Sequence, residues 1–389
     1  MSMVSSPSAA VPRRPLTITP ASVIVVCVVA LVSIGLAVLF SASSPIKGGP
    51  YAYLYKQFIF LALAIGAGWL VAIADLEALR KFAWVAAAIA LVALVFVLIP
   101  GIGIKVNGGR RWLGFGGVRL QVSEFAKLAM VFSLAHYLAL NQSKLHDFWC
   151  GFVKPAAWVG LFAVLVLVEP DFGAAFLLGS IGVLMLFLAG ARLKFLLPSI
   201  GAALGAFVLL IMNNPVRLQR VLSFLEPEAN RQGTGYQPWQ ALLAFAAGGV
   251  DGVGLGNGRQ QNAFLPEAHT DYIFAILGEE LGLIFTLLVV ALFVTIFVAG
   301  LMHVRRAPNL FQFLLVTGSL LLICLQAIIN LGVVTSLLPS KGMALPFISA
   351  GGSNLLLMGL LVGIIINTAR TWERPKPLVR RRSLTEVVA

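Results

Sequence analysis

Apolar residues in this chain gather into long, nearly unbroken runs instead of the alternating or one-faced stripes of a soluble fold. Ten runs read as membrane-crossing helices: 21–42, 57–74, 82–100, 124–140, 155–168, 172–190, 194–212, 271–300, 310–338 and 343–367. A span needs about 20 apolar residues to cross a hydrocarbon core about 30 Å thick. Three runs depart from that ideal. The 124–140 run carries Glu124, Lys127 and His136, the 155–168 run is short, and the 343–367 run opens with Pro346, Gly351 and Gly352. The longest interval between runs, 213–270, holds two amphipathic helical patterns, Val216–Leu225 and Gln237–Ala247, with Tyr236 and Trp239 as interfacial anchors. No internal repeat is visible. The pattern predicts an all-α polytopic membrane protein: a tail over 1–20, a ten-helix domain over 21–368 with one large extracytoplasmic loop at 213–270, and a basic tail over 369–389.

Composition agrees. Hydrophobic residues make up 59% and charged residues 11%, against about 25% charged in soluble proteins. The first run is too long for a signal-peptide core and no cleavage site follows it, so it reads as a retained span. The net charge of +13 is a topology signal, because Lys and Arg flank the runs. With the N-terminus cytoplasmic, the inner segments take Arg13, Arg14, Arg80, Lys81, Lys144, Lys154, Arg192, Lys194, Arg305, Arg306 and the tail from Arg370. They outnumber the outer cations, so both termini are expected inside. Basic residues do not interleave with exposed aromatics, which excludes nucleic acid as a partner. Cys27, Cys150 and Cys324 have neither metal-ligand nor disulfide spacing.

Four polar stretches stand at the outer ends of these runs. The first is Asn107–Trp112 with Gln121–Lys127. Arg110 and Arg111 suit phosphate oxygens, Trp112 suits the interface, and Glu124 and Lys127 share a helix face; an interfacial anchor with a local ion pair explains the same residues. The second is Glu169-Pro170-Asp171, either a pair of acids for a metal or cation, or a solvated turn with Asp171 as a helix cap. The third is Phe264–Gly282, with Glu267, His269, Asp271, Glu279 and Glu280. A helix over 271–300 would be about 45 Å long, so Asp271 is expected at its exposed head and Glu279 and Glu280 about two turns lower. Asp271 fits a helix cap, kept ionised by the dipole, and a general base equally well. The fourth is Leu338–Asn354, a broken helix start in which Lys341 can pair with Asp271 or bind phosphate. The run Gly248–Gly258 is glycine-rich but lacks the lysine of a phosphate loop. An amphiphile with an anionic head and a lipid tail fits this layout, whether it is moved or reacted.

Gly108–Trp112, Gln121–Glu124, Glu169–Asp171, Gly233–Gln237, Leu265–Asp271 and Lys341–Ser353 together resemble the SEDS family (shape, elongation, division, sporulation) over roughly 20–370. Ala268 and Lys341 resemble its division branch more than its elongation branch. Ala350, Asn354 and Val122 replace the family's usual tyrosine, serine and proline. The resemblance implies a ten-span peptidoglycan glycosyltransferase of the bacterial inner membrane, at the division septum. Its substrate would be lipid II, polymerised with inversion and with undecaprenyl pyrophosphate leaving. Asp271 would be the base, with an ordinary carboxylate pKa of about 4. Arg110, Arg111, Trp112, Glu124, Lys127, His269, Lys341 and Ser349 would bind substrate. A divalent cation, magnesium or manganese, is implied by the family alone. The implied partners are a class B penicillin-binding protein (FtsI-like transpeptidase), other division proteins and the bilayer. A lipid II flippase, a non-catalytic division scaffold and an elongation-type paralogue are the alternatives.

Overall fold

The computed structural model describes residues 19–45, 49–106, 109–115, 118–226, 228–262 and 264–372. The expectations for Arg13, Arg14, Lys47, Asn107, Gly108 and the basic tail from Glu373 lie outside these residues. The described elements are α1 (Pro20–Ala42), α2 (Gly49–Ile73), α3 (Leu76–Arg80), α4 (Ala83–Leu98), β1 (Ile104–Val106), β2 (Gly109–Phe115), β3 (Val118–Gln121), α5 (Val122–Leu140), α6 (Lys154–Val168), α7 (Phe172–Ala189), α8 (Leu193–Met212), α9 (Pro215–Leu225), α10 (Tyr236–Gly248), α11 (Ile273–Val304), α12 (Leu310–Val334) and α13 (Gly352–Trp372).

The chain is a helical membrane protein with eight helices long and apolar enough to span, among the described residues. The other two predicted spans are weaker for visible reasons. α4 has only 16 residues, and the apolar character of α5 is diluted by Glu124, Lys127 and His136, whereas α6 reaches a 20-residue span because a π-helical turn, Trp149–Val153, leads into it. Three further expectations are corrected. The segment 101–123 is not plain loop: β1, β2 and β3 form an antiparallel sheet in that order. The last helix starts at Gly352, because 339–351 runs without helix. The long helix α11 is broken at Gly282, whose φ of 73° and ψ of −170° suit only glycine.

Burial orders the bundle. α12 lies at the centre, with 78% of its apolar window buried, whereas α8 is peripheral, with 6% buried. α13 packs on α2, with small residues letting the backbones close: a Cβ at Gly68 would stand 2.5 Å from the Gly359 carbonyl oxygen. Both predicted loop helices form, and α10 turns its Pro238, Ala241, Ala244, Gly248 face inward, where Phe245 meets Phe274 edge-on with 5.8 Å between ring centroids. The sheet and the 338–351 segment cap the same end of the bundle as the break in α11.

Candidate active site

Asp271 lies in the turn before α11, not at its cap. Tyr272 is the N-cap residue, and no side chain caps it. The turn is built on Glu267, whose φ of 57° is left-handed and costly for a side-chain-bearing residue. Its carbonyl accepts from the amides of Thr270 (3.1 Å) and Tyr272 (3.2 Å), and its carboxylate accepts from the Thr270 hydroxyl at 2.8 Å. Three successive carbonyls are then held from outside the turn. The Ala350 amide donates to His269 at 3.0 Å, Ser349 Oγ donates to Thr270 at 2.6 Å, and Asn330 Nδ2 donates to Asp271 at 2.8 Å. The carboxylate of Asp271 is left facing open space.

Two joined cavities meet there. One, of about 260 Å³, is lined by Arg111, Trp112, Glu124, Lys127, Asn354 and Asp271, among others. The second, of about 500 Å³, is lined by Arg111, Arg220, Gln237, Glu267, Lys341 and Asp271, among others. Asp171 borders both. Asp271 is therefore not at an exposed head, as helix length alone suggests, but in a wall. Burial, reinforced by Glu267 and Asp171 and opposed by Arg111, pushes its carboxyl up to about 7, well above the ordinary value expected from sequence.

The cations are placed by the fold. Arg111 on β2 donates through Nε to the Glu169 carbonyl at 3.0 Å and through Nη2 to the Pro170 carbonyl, and its Nη1 lies 3.7 Å from Asp171. Asp171 caps α7 by accepting from the Ala174 amide at 3.1 Å, so its capping and pairing roles coexist. The two acids of the turn are not solvated, since Glu169 and Asp171 are buried while Pro170 between them is exposed; burial and Asp171 raise the Glu169 carboxyl to about 8. Lys341 makes no ion pair with Asp271. Its Nζ stands 5.6 Å and 6.0 Å from the ring centroids of Phe176 and Phe207, and burial lowers its pKa to about 8.

Beneath the first cavity runs a buried polar chain. Asn354 Nδ2 donates to Glu124 at 2.9 Å, Lys127 Nζ donates to Glu124 at 2.7 Å and to Gln326 at 3.0 Å, and Gln326 Nε2 donates to the Ala344 carbonyl at 2.9 Å. At 1% exposure, Lys127 is a floor post of the cavity; the Glu124–Lys127 pair is no solvated local bridge.

Of the residues singled out from sequence, Arg111, Trp112, Glu124, Lys127, Lys341 and Asp271 line these cavities. Three do not. Arg110 alternates away from Arg111 along β2, as successive strand residues must. The His269 ring packs edge-on to Tyr53 at 5.2 Å, and burial lowers its pKa. Ser349 is turned to the backbone, bonding Thr270 and the Leu345 amide. Sequence reasoning passed over Gln326 and Asn330. Their signal was present: two amides four residues apart inside an apolar span.

Comparison with known proteins fixes the family. Residues 21–374 match the model of the FtsW, RodA and SpoVE cell cycle proteins, so the chain belongs to this SEDS family. Curated relatives are described as "Probable peptidoglycan glycosyltransferase FtsW". One from Coxiella burnetii is 41% identical over 353 residues, 89% of this chain and 95% of the relative. Another from Alcanivorax borkumensis is 42% identical, over 85% and 88% of the two chains. The fold resembles a chain of a peptidoglycan synthase complex that couples polymerization and crosslinking, with a TM-score of 0.73 and 23% identity over 90% of this chain and 98% of that one. It also resembles the Thermus thermophilus rod shape determining protein RodA, with a TM-score of 0.67 and 24% identity over 90% and 97%.

Proposed function

We propose that this protein is a peptidoglycan glycosyltransferase of the FtsW type, polymerising lipid II at the outer face of the bacterial cytoplasmic membrane. The observation that carries this reading is the Asp271 carboxylate at the junction of two polar cavities edged by Arg111, Arg220 and Lys341, beside Asp171 and Glu267, whose carboxylates are engaged by Ala174 and Arg111 and by Thr270. The relatives' shared description supports it. Two cavities meeting at one carboxylate suit a reaction between two head groups.

In this reading the acceptor's 4-hydroxyl attacks the donor's anomeric carbon from the face opposite the diphosphate. The new O–C bond forms as the C–O bond to phosphate breaks. Asp271 takes the hydroxyl proton, and a carboxyl lifted toward 7 is a stronger base than an ordinary one. Undecaprenyl pyrophosphate leaves with the bonding electron pair, and Arg111 and Lys341 hold the charge that develops on it. Trp112 and the Glu124–Lys127 floor shape the first cavity. Arg110, His269 and Ser349 act, if at all, through the position of β2 and of the 267–272 turn. No step is assigned to the divalent cation: among the described residues no group of three His, Cys, Asp or Glu side chains is arranged to hold one.

The same reading takes α4 and α5 as spans, giving ten crossings with both termini in the cytoplasm and the sheet outside. A class B penicillin-binding protein is the proposed partner, supported by the fold shared with a synthase complex, and the septum is the proposed location. The test uses purified protein with that partner and lipid II. Asp271→Asn should fold and make no glycan; glycan at the wild-type rate would remove Asp271 from the mechanism. A flipping assay with non-polymerisable lipid II separates a flippase from a polymerase.

A further inference from the structure

Below the active turn, the break in α11 leaves two adjacent glutamates, Glu279 and Glu280, each 1% exposed. The glycine-rich run that lacked a purpose in the sequence wraps around them. Glu279 accepts from the amides of Arg259 (2.8 Å) and Gln260 (3.1 Å). Glu280 Oε1 accepts from the Gly256 amide at 3.1 Å and from the Ser41 hydroxyl at the end of α1. The main-chain carbonyls of the same two residues accept from Val253 (3.0 Å) and Gly254 (2.9 Å). Gly252, Gly254 and Gly256 all have positive φ, and a Cβ at Gly252 would stand 2.3 Å from the Glu280 carbonyl oxygen. The loop thus turns some of its amides to the two main-chain carbonyls and those of Gly256, Arg259 and Gln260 to the two carboxyl groups.

These bonds close a ring. Arg259 and Gly256 lie 20 and 24 residues before their glutamate partners, and Asp271 lies between. Going round, the Leu265 amide bonds the Gln260 carbonyl at 2.9 Å, the Glu267 turn follows, and residues 273–281 return as helix to the two glutamates. Asn330 pins the Asp271 carbonyl from outside the ring. A segment of this length free at one end has many conformations; clasped at both, it has few.

We infer that Glu279 and Glu280 are positioning residues, whose clasp on the 252–260 loop fixes the direction and depth of the Asp271 carboxylate. The inference rests on the catalytic reading of Asp271. It predicts a loss in the chemical step, since a shift of about 1 Å in a reacting group can cost on the order of 100-fold in rate. In Glu280→Gln the one amide oxygen can keep both bonds that Oε1 accepts, from Gly256 and Ser41, so the clasp that alanine breaks should be preserved. In Glu279→Gln the amide nitrogen would face a main-chain N–H, because the shorter bonds from Arg259 and Gln260 fall on different oxygens.

The test compares Glu279→Ala, Glu280→Ala and Glu280→Gln in the full chain, with its transpeptidase partner and lipid II. Alanine should speed amide hydrogen exchange over 252–272 and lower kcat about tenfold or more with KM within twofold. It should also move the acid limb of the kcat/KM profile below its expected place near pH 7, as the loosened turn admits water to Asp271 beside Glu267, Asp171 and Arg111. Glu280→Gln should keep wild-type exchange, rate and limb. Should the alanine variants fail to fold, Gly258→Ala serves: its Cβ would press on Glu279 Oε2 at 3.0 Å and on Glu280 Cγ at 3.2 Å from the loop side. Unchanged exchange and rate would overturn the inference. So would a lower rate with an unmoved limb, which marks only a smaller folded fraction. Full activity of Asp271→Asn would overturn the catalytic reading and the positional claim with it, while hydrogen exchange reports on the clasp by itself.

Discussion

Two groups of acids stand within one short stretch, and their surroundings differ in kind. Glu279 and Glu280 are enclosed, and both oxygens of Glu279 and Oε1 of Glu280 are met by amides and a hydroxyl of the same chain, with only Glu280 Oε2 left without a hydrogen-bond partner among the described residues. Asp271, only eight residues earlier, has its backbone tied down by Asn330, while its carboxylate faces two cavities. Burying polar groups is costly unless they are hydrogen-bonded; the chain's own donors meet most of the first group and leave the second open to the cavities. Residue type and membrane depth do not separate them; the identity of the donors does.

The sharpest way to break this comparison is to neutralise one acid from each group. Asp271→Asn should lower kcat about 1,000-fold, within the range for loss of a general base, whereas Glu280→Gln, which keeps the one oxygen that accepts from Gly256 and Ser41, should remain near wild type. Equal losses measured by glycan synthesis from lipid II would dissolve the distinction. A smaller effect belongs to the cation at the rim. Lys341→Gln should cost about 100-fold if its charge meets the leaving diphosphate, and Lys341→Arg should recover most of it.

The pH profile sharpens the same contrast with a change of about tenfold. Asp271 must be deprotonated to accept a proton, so kcat/KM, which reports the free enzyme's groups, should climb as pH rises through about 7. Lys341 must keep its proton to attract phosphate, so the rate should fall as pH passes about 8. The result is a narrow optimum between the two. Lys341→Arg should abolish the alkaline fall, because guanidinium stays charged throughout this range. A profile flat from pH 6 to 9 in wild-type protein would contradict both assignments.

Much of the architecture was readable because apolar runs are long-range facts recorded locally. Each span predicts itself, and α9 and α10 announce themselves by amphipathic spacing. Glu124 and Lys127 were paired by their three-residue separation alone. What escaped notice depends on partners distant in sequence. The sheet at 104–121 has short, glycine-broken strands with no clear alternation. The clasp around Glu279 and Glu280 needs a chain reversal that no local motif signals. His269 has the residue type of a base, yet the turn that aims Asp271 into the cavity aims His269 at Tyr53. Ser349 has a hydroxyl suited to a ligand, yet the same turn claims it through the Thr270 carbonyl. Sequence shows which chemistry is present, and the backbone's own demand for hydrogen bonds decides which side chains remain free to perform it.

The smallest predicted effect tests that last point with one methyl group. At Gly342 an added Cβ would stand 2.6 Å from Asp271 Oδ2, too close unless the carboxylate turns. At Gly173 an added Cβ would meet the Lys341 Cε at 2.9 Å and the Met343 Cε at 3.0 Å, both at the ends of flexible side chains. Gly342→Ala should therefore lower kcat about three- to tenfold, a fraction of what a full 1 Å displacement costs, with KM and thermal unfolding unchanged. Gly173→Ala should alter kcat less than twofold, since Lys341 can swing aside and still reach the second cavity. The two substitutions add the same atom to neighbouring walls of one site. If they reduce the rate equally, the site tolerates a loosely aimed Asp271, and the backbone bonds that hold its turn matter for folding more than for chemistry.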